Sequence, residues 1–520
     1  MLNHLFLKYL IVYNDIVNID ELDKKSLDEP NSNLDADQNL NSSVVVGDRH
    51  VLKETVGVVK SGIHEAEHAI GQTIHATAVG AKAVGHEAVV VEKKAKDFWH
   101  MLGPGLTTGA SDDDCSGIAT YSQTGAQYSF RLIWLSLFTF PLMASVQEMC
   151  ARIGMITGQG LAANIRQHHS RMAIYICTFL LLAANIFNIG ADFGAMTKAI
   201  QLMFPYFPFG PTVIFFGVSG LLMQIFMSYG RYAKYLKYLA LVLFSYVITA
   251  FCVKIDWSNV LYYTVIPHFD FSKEQILLVC GILGTTISPY LFFWQTSQEI
   301  EEKQLAKGIA DGVAPGDVPT GALMTASTPK EIKDMRVDIW SGMFISNLAM
   351  FFIIAVCSAT LFSNGITNIG TAADAAAALR PFAGDFAYLL FTIGIIGVGL
   401  LAVPVLAGSA AYAVSESFGW KFGLNRKLKE AKAFYGIISL AVIVGIGLNF
   451  IGLDPIKALI YSAVLNGIVA PVILYFIVRL SSRSDVMGEN RNKKLTNVVG
   501  WITVVFMGVT ALATIYTLFS

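Results

Sequence analysis

The sequence contains few charged residues for its length. Asp, Glu, Lys and Arg make up 14% of its 520 residues, whereas soluble proteins carry about 25%. Acidic and basic residues nearly balance, with a net charge of -1, which gives no indication of nucleic-acid binding. The six cysteines form neither a CxxC pair nor a disulfide pattern, so they do not indicate a redox compartment. Since 54% of the residues are hydrophobic, the composition predicts a protein that lies mainly in lipid.

The N-terminal part of the chain differs from the rest. Residues 1–54 are mostly polar and acidic and are expected to form a disordered cytoplasmic tail. The apolar opening segment is too short to cross a bilayer and lacks a basic start and a cleavage site, so a signal peptide is not expected. Residues 55–98 predict an amphipathic helix. His64 and His68 have the i, i+4 spacing used for metal ligation, but exposed His pairs are more often solvated.

Residues 99–520 predict a transmembrane transporter domain. Apolar runs long enough to span the hydrocarbon core of a bilayer follow one another throughout this region. We expect about eleven transmembrane helices, an odd number that places the two termini on opposite sides. The predicted spans are 104–124, 130–151, 172–197, 208–228, 233–253, 275–298, 338–362, 384–408, 432–450, 456–478 and 496–517.

Basic residues are concentrated in the loops that follow the even-numbered spans. The other loops carry little more than Arg131, Lys254, Lys273 and Arg380. Because loops rich in Lys and Arg stay in the cytoplasm, the N-terminus is predicted to be cytoplasmic and the C-terminus to lie outside. The expected location is a plasma membrane, with a bacterial inner membrane as the default.

Two spans have centres that an ordinary lipid-facing helix would not tolerate. The first has Asp112, Asp113 and Asp114 near its middle, and the sixth contains Ser288 and Pro289 in the segment GTTISPY. Proline removes a backbone donor and clashes with the preceding turn. Carbonyls freed at membrane depth persist only where they line a cavity or bind something. Breaks in the first and sixth spans occupy equivalent positions of an inverted 5+5 repeat, which is typical of a transporter's central site.

The three consecutive aspartates have two interpretations that are compatible with each other. A carboxylate inside a membrane costs on the order of several kcal/mol unless it is paired or solvated. Successive helical residues point about 100° apart, so at most two of the three can face one cavity. Asp112 and Asp113 are expected to cap the broken helix by accepting hydrogen bonds from free N–H groups. At least one of the three is also expected to face an ion.

The first span resembles the corresponding signature of the NRAMP family of divalent metal transporters. In that family a GPG is followed, after eight residues, by Asp-Pro-Gly-Asn. In GPGLTTGASDDDCSG, Asp114 takes the place of the metal-binding Asp and Gly117 that of the Asn. CARIGMITGQGLA resembles the segment after the second span, Asp192 matches an aspartate of the third, and GTTISPY overlies the sixth-helix motif. The resemblance covers roughly residues 100–517 and implies an all-α polytopic, LeuT-like fold.

Several departures from the family pattern change the expected cargo. Ser288 stands in place of the metal-binding Met, and Tyr290 and Leu291 replace the following His and Asn. Gln295 replaces a second His, and Ala195 occupies the position of a Glu implicated in proton movement. These changes resemble those of the NRAMP-related magnesium transporters. Replacing a soft thioether by a hydroxyl favours Mg²⁺ or Mn²⁺ over later transition metals, and losing titratable groups weakens the case for proton coupling.

The resemblance implies a metal site at the bilayer midplane between the two breaks. Asp114 would supply the charge, and the carbonyls of Ser111 and Thr285 would be backbone ligands. Ser288 would contact the ion through its hydroxyl or through a water, and Gly117 would leave room for hydration water. One bundle of helices would rock against the other around this fixed site.

Five more residues are expected near the site or at a gate. Asp112 and Asp113 would provide further negative charge or line the outer vestibule. Asp192 would be a proton acceptor, a salt-bridge partner or a helix–helix contact. Asn466 is either a ligand or part of a helix–helix hydrogen bond. Glu148, close to a basic residue at the end of the second span, is expected in a structural ion pair or a cytoplasmic gate rather than as a ligand.

Other functions remain open at this stage. The first is a proton-coupled Mn²⁺/Fe²⁺ importer of the NRAMP type, which belongs to the same family but carries a different ion. A thiolate at Cys115 would favour such a softer ion. The preferred interpretation of Cys115 is an inert, packed thiol. An amino-acid or amine symporter keeps the fold, but Asp114 would repel a substrate carboxylate. An intramembrane aspartyl hydrolase needs a second carboxylate motif that the sequence lacks. A passive, channel-like pathway would follow from the loss of proton-carrying groups.

The expected partners follow from these interpretations. We expect a transporter rather than an enzyme, with no cofactor and with a divalent metal ion as its substrate. The other partner is the lipid bilayer, and protons are a candidate coupling ion. The sequence does not indicate an oligomeric state.

Overall fold

The computed structural model describes residues 102–227, 229–311, 327–369, 372–452 and 455–519, and these residues form helices joined by turns and short loops. The first half contains α1 Pro104–Asp112, α2 Cys115–Tyr128, α3 Trp134–Thr157, α4 Leu161–His168, α5 Arg171–Met203, α6 Phe209–Phe226, α7 Tyr229–Leu239, α8 Phe244–Phe251 and α9 Trp257–Val265. The second half contains α10 Lys273–Thr286, α11 Pro289–Asp311, α12 Pro329–Thr360, α13 Ala372–Phe418, α14 Lys432–Leu448, α15 Pro455–Ser482, α16 Ser484–Met487 and α17 Lys494–Phe519.

The fold is that of a polytopic helical membrane protein. Within the described residues, eight helices are long and apolar enough to cross a membrane, and the number rises to nine if one bent pair counts as a single span. That pair comprises Cys115–Leu132 and Trp134–Thr157, which meet at 105°. Helix α14 is apolar but shorter. The predicted count of eleven spans is therefore not confirmed, although every predicted span coincides with a helical element.

Both predicted helix breaks are present. Helix α1 ends at Asp112 and α2 begins at Cys115, because the side chain of Asp114 accepts a hydrogen bond from Gly117 N and so starts a new helix. Helix α10 ends at Thr286, and Pro289 begins α11. Proline has no N–H to donate back to α10, which fixes the position of the second break.

Glycines allow the two broken helices to approach their neighbours at backbone distance. A Cβ on Gly109 of α1 would overlap the backbone of Gly342 in α12, and a Cβ on Gly284 of α10 would overlap the backbone of α15 at Gly467. Small residues at such crossings let membrane helices pack closely, since lipid supplies no hydrophobic force between helices. The helix before the first break thus packs closely on α12, and the helix before the second break packs closely on α15.

Several elements differ from the predicted spans. The segment α13 consists of two helices that meet at a kink at Gly384, whose φ of 84° favours glycine, and the second helix begins where the predicted span begins. Helix α4 lies in a segment predicted to be a loop, since its eight residues are too few to give a span-like signal. The predicted tail at 1–54 and the amphipathic helix at 55–98 lie outside the described residues.

Candidate cation site at the helix breaks

Asp114 is buried at the first break with both carboxylate oxygens hydrogen-bonded. Oδ1 accepts from Ser116 Oγ at 2.6 Å and from Gly117 N at 2.8 Å. Oδ2 accepts from Nδ2 of Asn188, on α5, at 2.6 Å. Hydrogen bonds to a charged oxygen are shorter and stronger than neutral ones. The carboxylate is therefore fixed in direction, and one of its oxygens is bound to a different helix.

Asn188 connects this carboxylate to α15. Its side-chain oxygen accepts a hydrogen bond from the Ser462 hydroxyl. One turn further along α15, Asn466 is buried, and neither its amide nitrogen nor its oxygen has a hydrogen-bond partner among the described residues. The expected helix–helix hydrogen bond of Asn466 is therefore not formed here. An unsatisfied buried amide costs about 1–3 kcal/mol, so a ligand or water is expected beside it.

Three other aspartates surround the first break with open oxygens. Asp112 accepts from Ser346 Oγ at 3.1 Å through Oδ2, while its Oδ1 has no partner. Both oxygens of Asp113 and both of Asp192 lack partners, and all three side chains are fully buried. None of these carboxylates forms an ion pair with a described residue. Buried charges without counter-ions are strongly unfavourable, so this region is suited to a cation.

The two carbonyls predicted as ligands accept hydrogen bonds from side chains. Tyr290 Oη donates to the Ser111 carbonyl at 2.6 Å, and Ser288 Oγ donates to the Thr285 carbonyl at 2.7 Å. Ser288 also contacts the Gly284 carbonyl at 2.9 Å. In this conformation the predicted ligands lie at the breaks. The Ser111 carbonyl accepts from a residue of the second break, and the Thr285 carbonyl accepts from Ser288 of the same break. Each carbonyl oxygen has a second lone pair, so a cation could bind beside these hydroxyls or take their place.

Gly117 faces an aromatic ring rather than an open space. A Cβ at this position would contact the Tyr121 ring at 3.4 Å. The Tyr121 hydroxyl lies 3.2 Å from Thr286 Oγ1 and 3.3 Å from Thr285 Oγ1. Tyr121 thus links the two breaks across the space that Gly117 was predicted to leave for water.

The side chains alone do not form a complete metal cage. Within the described part of the chain, no group of three or more His, Cys, Asp and Glu residues is arranged to hold a metal ion. A cation at the breaks would therefore complete its shell with carbonyls, hydroxyls and water. Mg²⁺ has this requirement because it dehydrates reluctantly and keeps several waters.

Glu148 forms an ion-pair cluster away from the breaks. Its Oε1 lies 2.9 Å from Arg336 of α12, and its Oε2 accepts from Trp340 Nε1 at 3.0 Å. Arg152, the basic neighbour noted in the sequence, is 4.0 Å away and donates to Asn492 instead. The carboxylate therefore joins α3 to α12, and its close partner is a residue remote in sequence.

A cavity of about 830 Å³ lies between the start of α1, α7, α11 and α12. Its charged lining consists of Lys234, Lys237, Glu299, Glu302, Lys303, Glu331, Asp334 and Asp338. Thr107 of α1 lines it, whereas none of the four aspartates at the break belongs to its described lining. The cavity is therefore a polar vestibule separated from the break by part of α1.

Three contributors to the site were not identified from the sequence. Asn188 lies four residues before Asp192 in an apolar helix, and Ser462 lies four residues before Asn466. Polar residues at helical spacing within a span are a signal from which Asn188 and Ser462 could have been identified. The sequence gives no such signal for Asp338, because its role depends on a contact across the fold. Its carboxylate accepts from the N–H groups of Gly103, Gly105 and Leu106 at 2.8, 2.7 and 3.1 Å.

Two interrupted helices packed around buried carboxylates define a transporter of the broken-helix type. Residues 105–517 match the model of the Nramp family, described as natural resistance-associated macrophage protein-like. The chain belongs to this family. It is a divalent metal cation transporter and not an enzyme.

Similar proteins agree with this assignment. The divalent metal cation transporter MntH of Caldanaerobacter subterraneus subsp. tengcongensis is 25% identical over 423 residues, covering 79% of this chain and 91% of that protein. The MntH of Mycobacterium tuberculosis is 24% identical, covering 85% and 97%. A solved manganese transporter of Eremococcus coleocola shares the fold, with a TM-score of 0.62 and 17% identity over 80% of this chain and 86% of that one.

Proposed function

We propose that this transporter carries a hard divalent cation, Mg²⁺ or Mn²⁺, by alternating access around a site at Asp114. The observation that carries the proposal is the cluster of four buried aspartates without counter-ions among the described residues. Five of their eight oxygens have no hydrogen-bond partner. A divalent cation would compensate these charges, whereas an anionic substrate would add to the repulsion.

Binding would proceed by exchange of hydrogen bonds for metal–oxygen contacts. The hydroxyls of Tyr290 and Ser288 now occupy the Ser111 and Thr285 carbonyls. Rotation of these two side chains would free both carbonyls for the cation, while Asp114 supplies charge. Asp112 and Asp113 lie next to it in sequence and have open oxygens, which suits them to hold the waters of a hydrated ion.

The chemistry of the donors supports a hard ion. Aspartates, carbonyls, hydroxyls and an amide are oxygen ligands that Mg²⁺ and Mn²⁺ accept readily. Ser288 offers a hydroxyl where the family resemblance places a methionine thioether. A thioether selects softer metals, so its absence removes one means of rejecting Mg²⁺.

Release would lead to the polar vestibule beside α1. The segment Gly103–Leu106 is held by Asp338 of α12, and Thr107 lines the cavity. Displacement of α1 from α12 would therefore connect the break with the vestibule. The lining residues Lys234, Lys237 and Lys303 belong to the basic segments that follow the fourth and sixth predicted spans, which supports a cytoplasmic position for the vestibule in a plasma membrane by the positive-inside rule.

A proton-coupled Mn²⁺ importer is the second candidate. The relatives are named as divalent metal cation transporters and manganese transporters. Asp192 is a buried carboxylate with both oxygens unpartnered, which suits it to accept a proton during transport. This candidate differs from the first in its coupling and not in the position of the site.

Flux into proteoliposomes distinguishes the two candidates. Purified wild type and Asp114→Ala would be compared for Mg²⁺, Mn²⁺ and Ca²⁺ uptake with an internal pH dye, and Asp485→Ala, at an exposed position, would serve as the matched control. We expect Mg²⁺ uptake that is lost in Asp114→Ala, retained in Asp485→Ala and not accompanied by acidification. Mn²⁺ uptake with acidification and no Mg²⁺ flux would contradict the first candidate and support the second.

A further inference from the structure

Two sulfur atoms from different helices meet beside the first break. Cys115 is the first residue of α2, and Met196 lies on α5. A Cβ on Gly399 of α13 would lie 2.5 Å from Met196 Sδ and 3.2 Å from Cys115 Sγ. Both sulfurs therefore lie where a side chain on Gly399 would stand, and a larger residue there would displace them. The glycine on α13 leaves room for the thiol and the thioether beside each other.

A buried carboxylate completes this group of side chains. Asp192 lies one helical turn before Met196 on α5, and its side chain interacts with Cys115. Both Asp192 oxygens lack a hydrogen-bond partner among the described residues, and the residue has no exposed surface. The thiol itself donates to the Ile395 carbonyl at 3.5 Å. A buried carboxylate with open oxygens thus lies beside the thiol and one helical turn from the thioether.

We propose that Cys115, Met196 and Asp192 form an inhibitory site for a soft divalent cation such as Cd²⁺, next to the proposed oxygen ligands Asp114, Ser111 and Thr285 of the transported ion. A thiolate, a thioether and a carboxylate make a mixed donor set that favours soft metals over Mg²⁺. As the Cd–S bond to Cys115 forms, the thiol proton leaves to the medium, and no oxidant or reductant is needed. The site contains only two residues of the His, Cys, Asp and Glu types, with the thioether as its third donor.

A metal ion bound at this site would block transport because of where the site lies. Cys115 directly follows Asp114 in the chain, and Met196 and Asp192 belong to α5, which also carries Asn188. A metal bridge would therefore fasten α2 to α5 beside the carboxylate that binds the cargo. Because alternating access requires the break to rearrange, a bridged protein is expected to bind but not to move its substrate.

Cd²⁺ binding to the purified full-length protein tests the site without reference to transport. The readout is the ultraviolet charge-transfer absorption of a Cd–thiolate bond during titration with CdCl₂. We expect wild type and Cys357→Ser to show a saturable band and Cys115→Ser to lose it; Cys357 is also a buried cysteine. Met196→Leu and Asp192→Asn should weaken Cd²⁺ binding by more than about tenfold, since even outer-shell partners are worth 10- to 100-fold.

Inhibition of Mg²⁺ or Mn²⁺ flux by Cd²⁺, normalised to each variant's own flux, provides the second readout. We expect inhibition of wild type and Cys357→Ser, with at least about tenfold more Cd²⁺ required for Met196→Leu. An unchanged Cd–thiolate band in Cys115→Ser, or equal inhibition of wild type and Met196→Leu, would overturn the proposal. A band that depends on Cys115 in a protein without any Mg²⁺ or Mn²⁺ flux would refute the proposed cargo and leave the soft-metal site supported.

Discussion

Asn188 Nδ2 donates a 2.6 Å hydrogen bond to Asp114 Oδ2, and the Asn188 side-chain oxygen in turn accepts from the hydroxyl of Ser462. One amide therefore connects α5, the start of α2 and α15 at the first helix break. The direction of the Asp114 carboxylate depends on this connection, since its other oxygen is occupied by donors of α2 itself. Movement of α5 or α15 would be transmitted to Asp114, the proposed ligand of the cation.

Replacing Asn188 tests this connection. Asn188→Ala removes a buried donor to a carboxylate, an interaction worth about 1.5–3 kcal/mol, and we expect cation flux into proteoliposomes to fall by about tenfold or more. Asn185→Ala is the matched control, because Asn185 donates to the Leu406 carbonyl and to Ser409 but not to Asp114. Equal loss of flux in the two variants would indicate that Asn188 stabilises the helices without orienting Asp114.

Ser288 allows a direct test of metal selectivity. Ser288→Met would place a thioether near the breaks, and we expect the ratio of Mn²⁺ to Mg²⁺ uptake to rise, because a soft donor favours the later metal. The longer side chain overpacks a buried position at a cost of about 1–3 kcal/mol, so Ser288→Leu is the control for size. The hypothesis fails if methionine and leucine change the uptake ratio equally, as measured by competition between the two metals.

The positions of the helix breaks could be predicted from the sequence because their causes are local. Pro289 cannot continue α10, and Asp114 accepts from the N–H of a residue three positions later. The assignment to polytopic membrane proteins could also be predicted from the sequence, because it depends on long apolar runs. The number of spans differs from the predicted eleven because α14 is shorter than the other candidate spans and α2 meets α3 at a sharp bend.

The contacts of the site could not be predicted because they depend on how separate helices are rotated. Asp114 was named from the sequence, but its donor Asn188 is 74 positions away. The sequence predicts the Ser111 carbonyl as a backbone ligand but not the hydrogen bond that it accepts from Tyr290 of the second break. Glu148 was placed beside Arg152 by proximity in sequence, whereas the packing of α12 on α3 brings Arg336 closer.

The contact between Glu148 and Arg336 is expected to stabilise the packing of α3 on α12. Glu148→Ala leaves the Arg336 guanidinium and Trp340 Nε1 without their acceptor, at a cost of about 1–3 kcal/mol. We expect a lower melting temperature of the detergent-solubilised protein. Asp485→Asn removes the acidic partner of an exposed ion pair with Arg483 and should leave the melting temperature unchanged, since exposed pairs contribute little. A similar shift in both variants would contradict this assignment.

Asp338 is expected to hold the first segment of α1 in place from a different helix. Its carboxylate accepts from the N–H groups of Gly103, Gly105 and Leu106, none of which has a capping side chain of its own helix. Asp338→Ala removes this cap, worth about 0.5–2 kcal/mol. Asp338→Asn retains an acceptor oxygen and is the matched control. The alanine variant should therefore free α1 and expose Thr107, which lines the vestibule.

Labelling of a cysteine at position 107 measures this release. Thr107→Cys would be introduced together with Cys252→Ser, since Cys252 is the exposed native thiol in the described part of the chain. Because about 1.4 kcal/mol corresponds to a tenfold change in population, a polar maleimide should react several-fold faster when Asp338 is alanine than when it is aspartate or asparagine. Equal rates in all three backgrounds would show that the cap does not hold α1. A faster rate in both variants would show that the single acceptor oxygen of asparagine is not enough and that the intact carboxylate of Asp338 is needed to hold the segment.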